Sequence, residues 1–161
     1  MKSSPEFDRE IKPREPKPVD LRARALGLLA RREHSRAELL RKLDKTGEER
    51  DTLNTLLDEF EARNWLSDRR FAESYVADHR ARAGAVKLTF DLRQRGVADA
   101  VIHAVLHEQR DSERERALAV WQKKFGTPAS NPGERASQMR FLQGRGFTPE
   151  VIRQVLAGGD D

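Results

Sequence analysis

Three glycines set the frame for this chain. Gly47, Gly96 and Gly146 lie 49 and 50 residues apart, and each stands four residues after a leucine: Leu43, Leu92 and Leu142. The fifth and sixth residues after each glycine are Thr52-Leu53, Val101-Ile102 and Val151-Ile152. Four further on come Leu56-Leu57, Val105-Leu106 and Val155-Leu156. A pattern that returns at a fixed interval marks a repeat architecture, in which each unit is one supersecondary piece. Within each unit the apolar residues recur at three- and four-residue spacing, the helical period, and no stretch sustains the alternation of a strand. The chain therefore reads as all-α, with three tandem three-helix repeats in an elongated, modular array. Each unit runs helix, short turn, helix, glycine turn, helix. A unit of about 45 residues buries little surface alone, so neighbours are expected to share buried surface.

Local signals place the units. Ser35-Arg-Ala-Glu38 and Ser112-Glu-Arg-Glu115 both read as capping boxes, in which the hydroxyl and the glutamate each satisfy an end amide. Asn131-Pro132 and Thr148-Pro149 combine a cap residue with proline at the first helical position. Ser67 reads as the cap of the helix carrying Phe71 and Tyr75. The leading helices are expected at Leu21 to Arg32, Ser67 to Arg82 and Ser112 to Phe125. The three glycines fall where a left-handed helix end needs a residue without a side chain. Residues 1–19 hold four of the seven prolines and no apolar period, and are expected to form a disordered arm. The expected units are 20–65, 66–110 and 111–158.

Composition narrows the function classes. With no cysteine, thiol catalysis, disulfides and thiolate metal sites are excluded together. No apolar run approaches the roughly 20 residues that span a bilayer, and the N-terminus has no signal-peptide stretch, so a cytoplasmic protein is expected. His103 and His107 have metal-capable spacing, but lack both the glutamate of a metalloprotease helix and a third histidine. The carboxylates sit at helical spacing from bases and form no dyad. Neither an enzyme nor any cofactor is expected.

A net charge of +4 with a pI near 9.7 favours acidic partners or polyanions without the density of a nucleic-acid coat. Arg31, Arg32, Arg36, Arg41 and Lys42 cluster at the first inter-helix turn, either as partner contacts or as the wet face of two helices. Arg80, Arg82, Lys87, Arg93 and Arg95 bracket the second unit's middle helix, with only Asp78 and Asp91 near them in sequence, and make the best partner-facing patch. Glu38–Lys42, Glu59–Arg63 and Asp78–Arg82 have the spacing of helical ion pairs. Trp65, Phe71, Tyr75, Phe90, Trp121, Phe125, Phe141 and Phe147 could stack on bases, but core packing is the stronger expectation for each. Asp68, beside Arg69 and Arg70, is expected to serve a helix start and to hold an arginine. A helix-turn-helix DNA binder is the competing class, since glycine turns between short helices are its mark. Against it, the helices after the glycines carry Glu48, Glu49, Asp51, Asp58, Asp99 and Glu150, which phosphates repel.

The segment from Arg32 to Leu43 resembles the opening motif of the RecX family, regulators of the RecA recombinase: Arg-Glu, a serine cap (Ser35), Glu38-Leu39 and Lys42-Leu43. Asn64-Trp-Leu-Ser-Asp68-Arg-Arg-Phe71-Ala resembles its central motif, with Trp65 where tyrosine is usual and Ser67 where an acid or Asn is usual. The stretch from Gly84 to Val97 resembles its glycine-to-Lys-Gly-Ile segment, with Arg95 for lysine before Gly96. Lys123-Lys-Phe125 and Arg145-Gly146-Phe147 resemble two pieces of its third repeat. The likeness covers roughly Leu21 to Leu156. It implies a non-catalytic, cytoplasmic, monomeric protein. Such a protein binds the RecA–single-stranded-DNA filament, inhibits its ATPase, strand exchange and extension, and so modulates recombination, DNA repair and the SOS response. Weak direct contact with DNA is a secondary implication, and no membrane partner is implied.

Overall fold

In a computed structural model, residues 20–108 and 110–158 are described, and the expected N-terminal arm lies outside them. The described residues form nine α-helices and no strand. The first unit holds α1 (Leu21–Arg31), α2 (Arg36–Asp44) and α3 (Arg50–Ala62). The second holds α4 (Asp68–His79), α5 (Ala85–Gln94) and α6 (Asp99–His107), and the third α7 (Arg110–Lys124), α8 (Pro132–Gly144) and α9 (Pro149–Ala157).

Most of the helix ends follow from the residues read as caps. Ser35 accepts the Glu38 amide while Glu38 reaches back to the Ser35 amide, completing the capping box. Ser67, Asn131 and Thr148 each accept an amide of their helix's first turn. The second expected box is not a helix start. Helix α7 begins at Arg110, so Ser112 lies inside it. Helix α4 likewise ends at His79, so Asp78 and Arg82 do not share a helix and form no ion pair among the described residues. The three glycines take φ of 79°, 80° and 81°, the left-handed region predicted for them. Gly126 and Asn64 also lie there, at 70° and 62°. Among the described residues Asn64 is the one non-glycine there, and its short polar side chain tolerates the conformation.

Each unit has its own core. Leu39, Leu43, Leu53, Leu57 and Phe60 close the first, Phe71, Val76, Leu88, Leu92 and Ile102 the second, and Trp121, Leu142, Phe147, Ile152 and Val155 the third. The expected shared buried surface therefore takes another form, a joint of hydrogen bonds and close backbone contact that is built twice. At the first joint the Ser35 hydroxyl donates to the Arg95 carbonyl, Asp68 accepts the Arg36 amide, and Gly96 lies against Ala37. At the second the Gly84 amide donates to the Arg145 carbonyl, Glu113 accepts the Ala85 amide, and Gly146 lies against Lys87. In both, the start of one middle helix sits on the glycine turn that ends the next unit's middle helix. The positive N-terminal end thus meets the negative C-terminal end, and a carboxylate from the next unit's leading helix caps the joint. Among the described residues no hydrogen bond or ion pair links the first unit directly to the third.

Candidate functional site

The outward face of α5 departs most from what folding alone requires. Val86 and Phe90 stand one helical turn apart and are 55% and 61% exposed, although the period of α5 supplies Leu88 and Leu92 to the core at no exposure. Phe90 was expected to pack inside. It instead lies six residues before its glycine, a register position held by Arg41 in the first unit and Arg140 in the third, both exposed. The middle helices thus turn this position to solvent, and α5 alone fills it with an aromatic. Arg82, Lys87 and Arg93 lie within four residues of the pair along the chain, all exposed. An exposed apolar pair with exposed cations at neighbouring positions is the composition of a protein-docking patch.

Several of the candidate cations already have partners. Arg93 bonds Asp99 at 2.7 Å, an acid from α6 that the sequence pattern had not placed beside it. Lys87 lies 3.7 Å from Asp91. Arg95 donates to the Asp91 carbonyl at 3.0 Å and stands over the Tyr75 ring at 4.6 Å, so it braces the second core. Arg80 is the C-terminal cap residue of α4. Arg82 makes no ion pair among the described residues, and its carbonyl accepts from Arg145.

The first-unit cluster is more committed to structure. Arg36 bonds Asp58 at 2.6 Å and Glu61 at 2.9 Å, tying α2 to α3. Arg32 bonds Glu38 at 2.6 Å, which takes Glu38 away from the expected pairing with Lys42. Burial acts to raise the Glu38 pKa, yet the Arg32 guanidinium outweighs it and the carboxyl ends below its ordinary value. Lys42 meets the His34 ring at 2.8 Å. Arg31 and Arg41 remain exposed with no ion pair among the described residues. Glu59–Arg63, at 3.0 Å, is the one expected helical pair that forms. Asp68 caps α2 through the Arg36 backbone, and burial raises its pKa despite that bond. Arg70 pairs with Glu33 and Arg69 with Glu73 and Glu108.

Among the aromatics, Phe71, Trp121 and Phe147 are buried, while Tyr75, Phe125 and Phe141 are partly buried against the cores. Trp65, at 39% exposure, is the second exception. It rests edge-on against Phe60, with Arg63 and Arg22 at 4.9 and 5.7 Å from its ring. Gly84 needs its missing side chain, because a Cβ there would come within 2.6 Å of the Gly146 carbonyl and of Phe147. Among the described residues no helix is long and apolar enough to cross a membrane, and no three histidine or carboxylate side chains gather as metal ligands.

Comparison with known proteins places the whole array. Family models match in chain order: RecX, first three-helix domain, over residues 22–60; second three-helix domain, over 67–106; and third three-helix domain, over 111–156. The regulatory protein RecX of Ralstonia nicotianae is 45% identical over 143 residues, covering 89% of this chain and 90% of the relative. That of Chromobacterium violaceum is 46% identical over 143 residues, 88% and 91% of the two chains. The crystal structure of RecX from Lactobacillus salivarius superposes with a TM-score of 0.77 at 18% identity, covering 87% of this chain and 94% of that one, which establishes a common fold.

Proposed function

The chain belongs to the RecX family, and on that footing we propose that it is a non-catalytic regulator of the RecA–single-stranded-DNA filament. Bound to the filament, it inhibits ATP hydrolysis, strand exchange and extension. The observation that carries this reading within the structure is the α5 face. Val86 and Phe90 are exposed in the second of the three units, with Arg82, Lys87 and Arg93 exposed at nearby positions in the chain. Exposed apolar surface of this kind is retained where a protein partner covers it, and an aromatic beside arginine is the usual make-up of an energetic anchor. The modular build supports the same reading. Each unit has its own core and a repeated joint to the next, so the array can lie along a polymer and meet successive protomers.

The test is co-sedimentation with RecA filaments on single-stranded DNA, beside naked DNA, together with DNA-dependent ATP hydrolysis. We expect retention on the filament above retention on naked DNA, and suppressed hydrolysis by RecA at near-stoichiometric protein. Retention on naked DNA alone would instead support a direct DNA binder.

A further inference from the structure

The joint between the second and third units leaves a groove of about 1100 Å³, walled by α5, α6, α7 and α9. Arg114, Arg116, His103 and His107 line it, with Glu113 and Glu150. Arg116 is the anomaly. Its Nε and Nη1 are closed off from water and have no hydrogen-bond partner among the described residues. Other half-buried arginines are served: Arg36 by two carboxylates and Asn54, Arg70 by Glu33 and Asn64. Glu113 is near enough to favour the Arg116 charge, but its Oε1 is spent on the Ala85 amide, and Arg80 opposes that charge. Burial, the largest influence, pushes the Arg116 pKa down. An unmet buried donor is destabilising, the more so when it is charged.

The geometry points to this groove as a binding site for an acidic peptide segment of a protein partner, with Arg116 receiving a carboxylate. A change of rotamer brings the long side chain to an acid seated in the groove and exchanges two unmet donors for a charge-assisted pair. A single carboxylate fits the lining better than a phosphate chain does, because Glu113 and Glu150 share the groove and successive phosphates would face them. Leu106 and Val151 give the peptide's neighbouring side chains an apolar wall. The inference rests on the filament-regulator reading only for which protein supplies the segment.

The experiment follows the backbone amide signals of the groove by NMR in the full-length protein and its variants, with the Arg116 Nε–H signal as well in the parent, titrated separately with an acetylated leucine-rich peptide bearing one glutamate, inorganic phosphate and oligothymidylate. A saturable shift with the peptide is expected, weakened at least tenfold in Arg116→Met, whose melting temperature should equal or exceed that of the parent. Arg116→Lys gives the same comparison if the methionine variant does not fold. An absent peptide response, equal affinity in the variant, or a stronger response to oligothymidylate or phosphate overturns the proposal. The titration contains no RecA. A null result beside intact filament co-sedimentation therefore rejects the groove alone, and the reverse pattern rejects the filament reading alone.

Discussion

His34 is 1% exposed, with both ring nitrogens engaged, Nδ1 at 3.0 Å from the Arg32 carbonyl and Nε2 at 2.8 Å from Lys42 Nζ. A neutral ring protonated on Nδ1 satisfies both, donating to the carbonyl and accepting from the ammonium. Protonating Nε2 would set two cations face to face. Burial is the largest influence and lowers the His34 pKa from its ordinary 6.5. The Arg32 carbonyl opposes this, the Arg32 and Lys42 charges add to it, and Glu38 opposes it. Because the folded-state value is depressed, the stability His34 contributes is complete above its unfolded value and is lost as pH falls through the folded one. We expect the melting temperature to fall between about pH 7 and pH 5, the range of an ordinary imidazole, and to fall less in His34→Asn, which cannot titrate. The paired carboxyls Glu38 and Asp99 lie below their ordinary 4.5 and 3.8, so their losses begin at lower pH. Thermal circular dichroism across that window decides it, and identical slopes would reject the neutral-ring assignment.

At the scale of the element, the glycine turns share a backbone but not surroundings. All three hold a positive φ, yet a Cβ at Gly47 would meet nothing within 4 Å. At Gly96 it would stand 2.4 Å from the Ala37 Cβ, and at Gly146 2.2 Å from the Lys87 Cβ and 2.6 Å from the Lys87 backbone nitrogen. Gly47→Ala should therefore cost only the backbone strain, about 1 kcal/mol. Gly96→Ala should add an overpacking cost of about 1–3 kcal/mol, and Gly146→Ala at least as much, since a backbone atom must move. Urea unfolding of the three variants checks the order, and equal losses would mean that the joints are not held at the glycines. Among the described residues the vacant turn is the one on which no preceding unit is seated.

For the whole molecule, three small cores and two polar joints leave the middle helices with outward faces that no other unit covers. Phe90 and Phe71 separate binding from folding there. Phe71→Ala removes a side chain 4% exposed in the second core and should cost about 3–5 kcal/mol. Phe90→Ala removes one that is 61% exposed and should change stability by no more than about 0.5 kcal/mol. It should weaken filament retention at least tenfold, which is about 1.4 kcal/mol. Co-sedimentation and thermal melts of the two variants read both quantities. Full retention by Phe90→Ala would move the docking surface away from α5.

Periodicity and punctuation made the repeat legible without a structure. The glycine interval, the Ser35–Glu38 box and the proline-marked starts of α8 and α9 depend on contacts within a few residues, and such contacts are written locally in the chain. Helix α7 falls where it is expected except at its start, because Ser112-Glu-Arg-Glu115 satisfies the capping pattern while the fold extends the helix back to Arg110. Whether Phe90 is core or surface cannot be read from its residue type, since helical spacing identifies a face and only packing says which face is covered. Charge pairing between helices was equally out of reach, unlike the Glu59–Arg63 pair within α3, which spacing gave. Asp58, Asp68, Asp99 and Glu113 find their partners from other helices, so separation along the chain carries no trace of them. The sequence alone determined nine short helices' worth of pattern in three units, because each helix is specified by its own turn-to-turn contacts. Tertiary structure alone decided how one unit seats on the next, which charges pair between helices, and that Nε and Nη1 of Arg116 are closed off with no hydrogen-bond partner among the described residues, because those outcomes depend on distances between segments far apart in the chain.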